Sequence, residues 1–94
     1  MTVVWTEHAL RCLSEIEAYI AEDDPAAAVV FIDRLFRRTD LLVDQPLAGR
    51  LVPEVPGREL RELIEANYRI VYRVNGTVVE ILTVFEAHKR SIRD

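Results

Sequence analysis

The chain has 94 residues, half of them apolar, and sets 12 basic against 16 acidic side chains for a net charge of −4. That length makes one domain, residues 1–94, and the apolar share excludes a disordered chain. The acidic balance excludes a grip on nucleic acid through bulk charge, so any phosphate contact needs a local basic patch.

The longest apolar runs, Ala26 to Ile32 and Leu41 to Val43, fall far short of the roughly 20 residues that span a bilayer, and no membrane partner is expected. Met1 to Glu7 has neither a basic nor a long apolar leader region, so no secretory signal is expected. Cys12 is the one cysteine and His8 and His88 are the two histidines. That pattern offers no disulfide and no metal-ligand spacing. It predicts a cytoplasmic protein with no metal and no cofactor.

In chain order, Thr2 to Trp5 is short and β-rich and reads as a first strand. Thr6 is a candidate N-cap, and Ala9, Cys12, Leu13, Ile16, Tyr19 and Ile20 recur at helical spacing, which predicts a helix over about 7–22. Asp23-Asp24-Pro25 breaks it. Asp24 suits the cap and Pro25 the first position of a second helix, running to about Val43. Its apolar stripe is wide, while Asp33 and Arg37 pair on the other face. Arg34, Arg37 and Arg38 read as a solvated face balanced by Asp33 and Asp40.

Gln45 to Gly57 contains three prolines and two glycines and reads as a loop. Arg58 to Glu65 is compatible with a strand or one helical turn, and the sheet that follows favours strand. Tyr68 to Val74 and Thr77 to Phe85 flank Asn75-Gly76, the signal of a two-residue type I′ hairpin. That turn would set Val74 opposite Thr77 and Tyr72 opposite Val79. Tyr68, Ile70, Tyr72, Val79 and Ile81 would then face the helices. Arg69, Val71, Arg73, Val78, Glu80, Leu82 and Val84 would face outward on an open, half-polar surface. The predicted fold is α+β: a short N-terminal strand, a helical hairpin, then a three-stranded antiparallel meander, with the helices on one face.

Four stretches in this order resemble the RelE/ParE toxin superfamily of type II toxin–antitoxin systems. They are Trp5-Thr6-Glu7-His8-Ala9 leading to Tyr19-Ile20; Asp24-Pro25-Ala26-Ala27-Ala28 into Phe31-Ile32-Asp33; Leu42 with Pro46, Gly49-Arg50 and Val52-Pro53-Glu54; and Arg61-Glu62-Leu63 with Tyr68 to Val74, closing on His88-Lys89-Arg90. The resemblance covers nearly the whole chain. It implies a toxin neutralised by a small DNA-binding antitoxin, ParD-like or of another kind, in a hetero-oligomer. It also implies one of two poisons. The RelE-like branch cuts messenger RNA on the ribosome, and the ParE-like branch inhibits DNA gyrase without nuclease chemistry.

Arg69 matches the phosphate-binding arginine of the nuclease branch; otherwise it forms a cross-strand pair with Glu80. Where that branch has two lysines this chain has Leu60 and Glu62, with Arg61 between them. His88 and Arg90 match its C-terminal catalytic positions, but no tyrosine lies beyond Tyr72. The catalytic set of a nuclease would therefore be Arg69, His88 and Arg90. Arg61, Arg69, Arg73, Lys89 and Arg90 are the candidate basic patch. Glu54 and Glu59 are potential bases that nothing in the sequence fixes near Arg69. The incomplete basic set and the acidic charge favour the ParE-like branch, a protein-binding inhibitor rather than a nuclease. Val71, Val78, Leu82 and Val84, more apolar surface than two helices on the opposite face can cover, predict an antitoxin-binding face.

Overall fold

Residues 1–87 are described by the computed structural model. After β1 (Thr2–Trp5), the Thr6 hydroxyl accepts the Ala9 backbone N–H at 3.1 Å and starts α1 (Glu7–Ala21). The Asp24 carboxylate does the same for Ala27 at 3.0 Å, with Pro25 opening α2 (Pro25–Arg38). Each cap satisfies an N–H that the first helical turn leaves without a partner. The second helix ends earlier than its apolar periodicity predicts. The Thr39 hydroxyl donates back to the Phe36 carbonyl at 2.8 Å, and the chain tightens into a 3₁₀ turn over Asp40–Val43. Leu42 in that turn is still fully buried.

Four further strands follow: β2 (Arg50–Leu51), β3 (Arg61–Glu65), β4 (Tyr68–Asn75) and β5 (Val78–Glu86). The sheet runs β1-β5-β4-β3-β2, with β1 parallel to β5 and every other pair antiparallel. The predicted meander is β3–β4–β5. The sequence offered no sign of β2, which is too short to show a period.

Two details of the β4–β5 hairpin differ from expectation. Asn75 faces Val78, so the turn is Gly76-Thr77 rather than Asn75-Gly76. Gly76 takes φ +62° at the first central position while Thr77 stays out of the positive-φ region. That is the type II′ pattern, which needs glycine in first place. Further along, Tyr72 faces Ile81 but Val71 faces Thr83, leaving Leu82 as an extra residue in a bulge. A bulge reverses the alternation beyond it. The predicted helix-side residues Ile70, Tyr72, Val79 and Ile81 are indeed in the main core, where they meet Leu13, Ile16 and Leu35. Val84, expected to face outward, joins them there.

The outer face is not open. Val52, Leu60, Val71 and Phe85 form a second buried cluster, with Val55 and Leu82 packed against it. The loop between β2 and β3 therefore lies across the sheet as a strap and closes the face that the sequence left half polar and exposed.

Candidate functional site

The strap is fastened at Arg69. This residue lies on β4 opposite Phe85 of β5 and Ile64 of β3, and it is 6 % exposed. Its Nε donates to Glu62 Oε1 at 2.6 Å. Its Nη1 and Nη2 donate to the two carboxylate oxygens of Glu54, the second at 2.9 Å, in a two-pronged fork. Glu62, on β3, is fully buried, and its other oxygen accepts from Arg50 Nε. The Phe85 ring centroid lies 5.4 Å from the Arg69 guanidinium carbon. Two guanidinium groups thus meet two carboxylates, and their formal charges cancel.

Electrostatics follow from that geometry. The Arg69 hydrogen bonds, first among the causes, hold the Glu54 carboxyl down at about 2. The same fork raises the Arg69 guanidinium above its ordinary range. A base for proton abstraction should titrate near the working pH. Glu54 is far from that, and both its oxygens are engaged. All three nitrogens of Arg69 are likewise committed, so it presents no free fork to a phosphate.

A neighbouring pin holds the approach to the strap. The Tyr72 hydroxyl donates to the Pro46 carbonyl and accepts the Gly49 N–H, both at 2.8 Å. A Cβ on Gly49 would lie 2.7 Å from the Glu62 carbonyl oxygen and from the Tyr72 ring, so only glycine fits there. Arg61 Nη1 donates to the Gly49 carbonyl at 2.8 Å.

Among the described residues of the predicted basic patch, Arg61 does not share a face with Arg69 and Arg73. Arg61 lies opposite Tyr72, in register with the helix-side residues and not with Arg69. Arg73 pairs with Glu80 at 2.7 Å, taking the partner expected for Arg69. His88, Lys89 and Arg90 lie outside the described residues. Of the predicted antitoxin face, Val71 is buried beneath the strap and Val84 in the helix-side core, because the loop and the bulge were not anticipated. Val78 and Leu82 remain partly exposed. Glu62 and Glu54 were missed as partners of Arg69. The first was legible as an acid on a strand next to β4; the second arrives on an irregular loop and had no signal.

Apolar surface is exposed instead along the helical hairpin. A groove of about 330 Å³ runs between α1 and the ends of β4 and β5, lined by Cys12, Ile16, Tyr19 and Tyr68. A second of about 530 Å³ opens along α2, lined by Ile20, Ala27, Val30, Phe31 and Arg34. Tyr19, Val29 and Val30 are each more than 60 % exposed. Cys12 itself is buried, its thiol 3.5 Å from His8 Nε2.

The model of the ParE toxin of the type II toxin–antitoxin system parDE matches residues 3–90. The chain belongs to this toxin family. It is 46 % identical to "Putative toxin Y4kP" of Sinorhizobium fredii over 92 % of the chain and 88 % of that protein. It is 37 % identical to Toxin RelE2 of Caulobacter vibrioides over 90 % and 93 %. Among solved structures, the chromosomal ParDE toxin–antitoxin system of P. aeruginosa superposes with a TM-score of 0.78 at 28 % identity, covering 94 % of this chain and 97 % of that one. The RelBE2 toxin–antitoxin complex of Mycobacterium tuberculosis shares the fold, with a TM-score of 0.61 at 24 % identity, covering 90 % and 95 %. The α+β layout of this ParE-family toxin is therefore that of the RelE/ParE superfamily. Among the described residues, no helix is long and apolar enough to cross a membrane.

Proposed function

We propose that this toxin acts by inhibiting DNA gyrase and is held silent by a small ParD-like antitoxin in a hetero-oligomer. The observation that carries the choice of target is the neutralised Arg69. A ribonuclease needs a cation free to meet the charge that builds on the cleaved phosphate. Here that cation is forked by Glu54 and bound from behind by Glu62. The net charge of −4 adds to the argument, since it disfavours encounter with the dense phosphate of a ribosome. A gyrase inhibitor works by binding protein and needs neither feature.

The solved relatives are toxin–antitoxin assemblies, which supports an antitoxin partner. Its place is the helical hairpin, where apolar grooves flank α1 and α2, in preference to the strapped sheet face. An amphipathic helix or extended segment laid in those grooves would bury Tyr19 and Val30. The alternative, ribosome-dependent cleavage of messenger RNA in the RelE manner, draws its support from the relative named RelE2. Expression without antitoxin in growing bacteria separates the two. Gyrase inhibition should stop thymidine incorporation before methionine incorporation, and the reverse order would favour the nuclease.

A further inference from the structure

We infer that the groove between α1 and the ends of β4 and β5 takes a cationic side chain, an arginine or lysine carried on an apolar segment of the antitoxin. The inference rests on the reading that the antitoxin lies along the helical hairpin, and it adds the chemistry by which that segment is recognised. Each wall of the groove supplies one aromatic ring and one carboxylate. On α1, Glu15 and Tyr19 stand one turn apart. On the sheet, Tyr68 of β4 lies directly opposite Glu86 of β5. Between the walls, Cys12, Ile16 and Val84 make an apolar floor. The Tyr68 ring rests against Phe31 of α2, with 5.5 Å between the centroids.

These groups suit a cation and not an anion. Arginine and lysine lay their aliphatic stems along apolar surface and keep the charged head at its edge. Ring faces attract that head, and carboxylates meet its charge. Burial first, then the Glu86 charge and the Tyr19 hydroxyl, push the Tyr68 phenol above its ordinary value. The part due to Glu86 reports a negative potential, which favours a cation. Charge along the chain agrees. From Cys12 to Asp33 the hairpin holds six carboxylates, Glu15, Glu17, Glu22, Asp23, Asp24 and Asp33, and no lysine, arginine or histidine. The rest of the chain has more basic than acidic side chains. The last turn of α1, the negative end of its dipole, likewise has no basic residue. A segment of opposite charge is steered to such a surface, and one of like charge is repelled. The groove along α2 sets Arg34 beside Asp24, a mixed charge, so the cation is assigned to the first groove.

The test is calorimetry of the full-length toxin with its full-length cognate antitoxin. Glu15→Gln combined with Glu86→Gln should weaken binding at least about tenfold at about 0.1 M salt, where charges interact over roughly 10 Å, and much less at about 1 M, where the range is roughly 3 Å. Tyr19→Phe should bind as the wild type does. Tyr19→Leu, which keeps apolar area and loses the ring, should bind several-fold more weakly. In the antitoxin, exchange of one arginine or lysine for glutamine should give the same loss as the double variant and add little when combined with it. Unchanged affinity in the double variant, or an equal loss at both salt concentrations, would overturn the cation site. Tighter binding would also overturn it, and would assign the cation to residues 88–94 of this chain, displaced when the antitoxin binds. Loss of binding in Val30→Arg with the double variant unaffected would leave the hairpin reading standing and remove the cation alone. Indifference to Val30→Arg and to all of these variants would remove the hairpin reading itself.

Discussion

Glu62 is buried without access to solvent, and its charge is tolerable only because Arg69 and Arg50 meet it. Arg69→Ala strips the deeper of these cations and leaves a carboxylate enclosed. Breaking a buried pair from one side costs about 3–5 kcal/mol. The urea midpoint should fall accordingly with the slope unchanged, and a loss below about 1 kcal/mol would mean that the pair is not buried in solution. The Glu54 carboxyl adds a pH signature. Its folded value of about 2 lies below the ordinary 4.5, chiefly through the Arg69 hydrogen bond. The stabilisation it gives is therefore complete above the ordinary value and is lost as the pH falls toward the folded one. Glu54→Gln should flatten the acid limb of the stability curve in that window. An unchanged limb would show that Glu54 does not hold Arg69.

At the scale of elements, the two-residue connection of β3 to β4 carries the strain. Ala66 stands there at φ +54°, a left-handed conformation that costs a residue with a Cβ about 1–2 kcal/mol. Ala66→Gly should relieve it and raise the thermal midpoint by a few degrees; a lower midpoint would show that the entropy of glycine outweighs the strain. The helical hairpin carries the partner prediction. Val30→Arg places a charge in the groove along α2 and should weaken antitoxin binding by more than about 2 kcal/mol in calorimetry. Unchanged affinity would remove that groove from the interface. Much of this architecture was legible from residues: the caps Thr6 and Asp24, the α1 stripe, and the alternation that sends Ile70, Tyr72, Val79 and Ile81 inward all follow from local chemistry. What was not legible depended on events without a local period. The Leu82 bulge turned Val84 inward. Asn75-Gly76 offered one turn where the chain adopts another. The strap buried Val71 through contacts between Val52, Leu60 and Phe85 that are far apart in sequence.

Across the whole molecule, one sheet divides two unequal cores. The helix side holds the larger core and presents apolar grooves at its outer rim. The strap side is closed by Arg50, Glu54, Glu62 and Arg69, which cancel in charge. On this face every guanidinium nitrogen of Arg69 is engaged by Glu54 or Glu62. In the proposed function the poison binds gyrase rather than cutting RNA. The direct measurement is supercoiling of relaxed plasmid by purified gyrase titrated with the toxin, beside cleavage of messenger RNA on programmed ribosomes with the same preparation. Supercoiling should be inhibited, antitoxin should restore it, and the messenger should stay intact. Cleaved messenger with supercoiling untouched would contradict it.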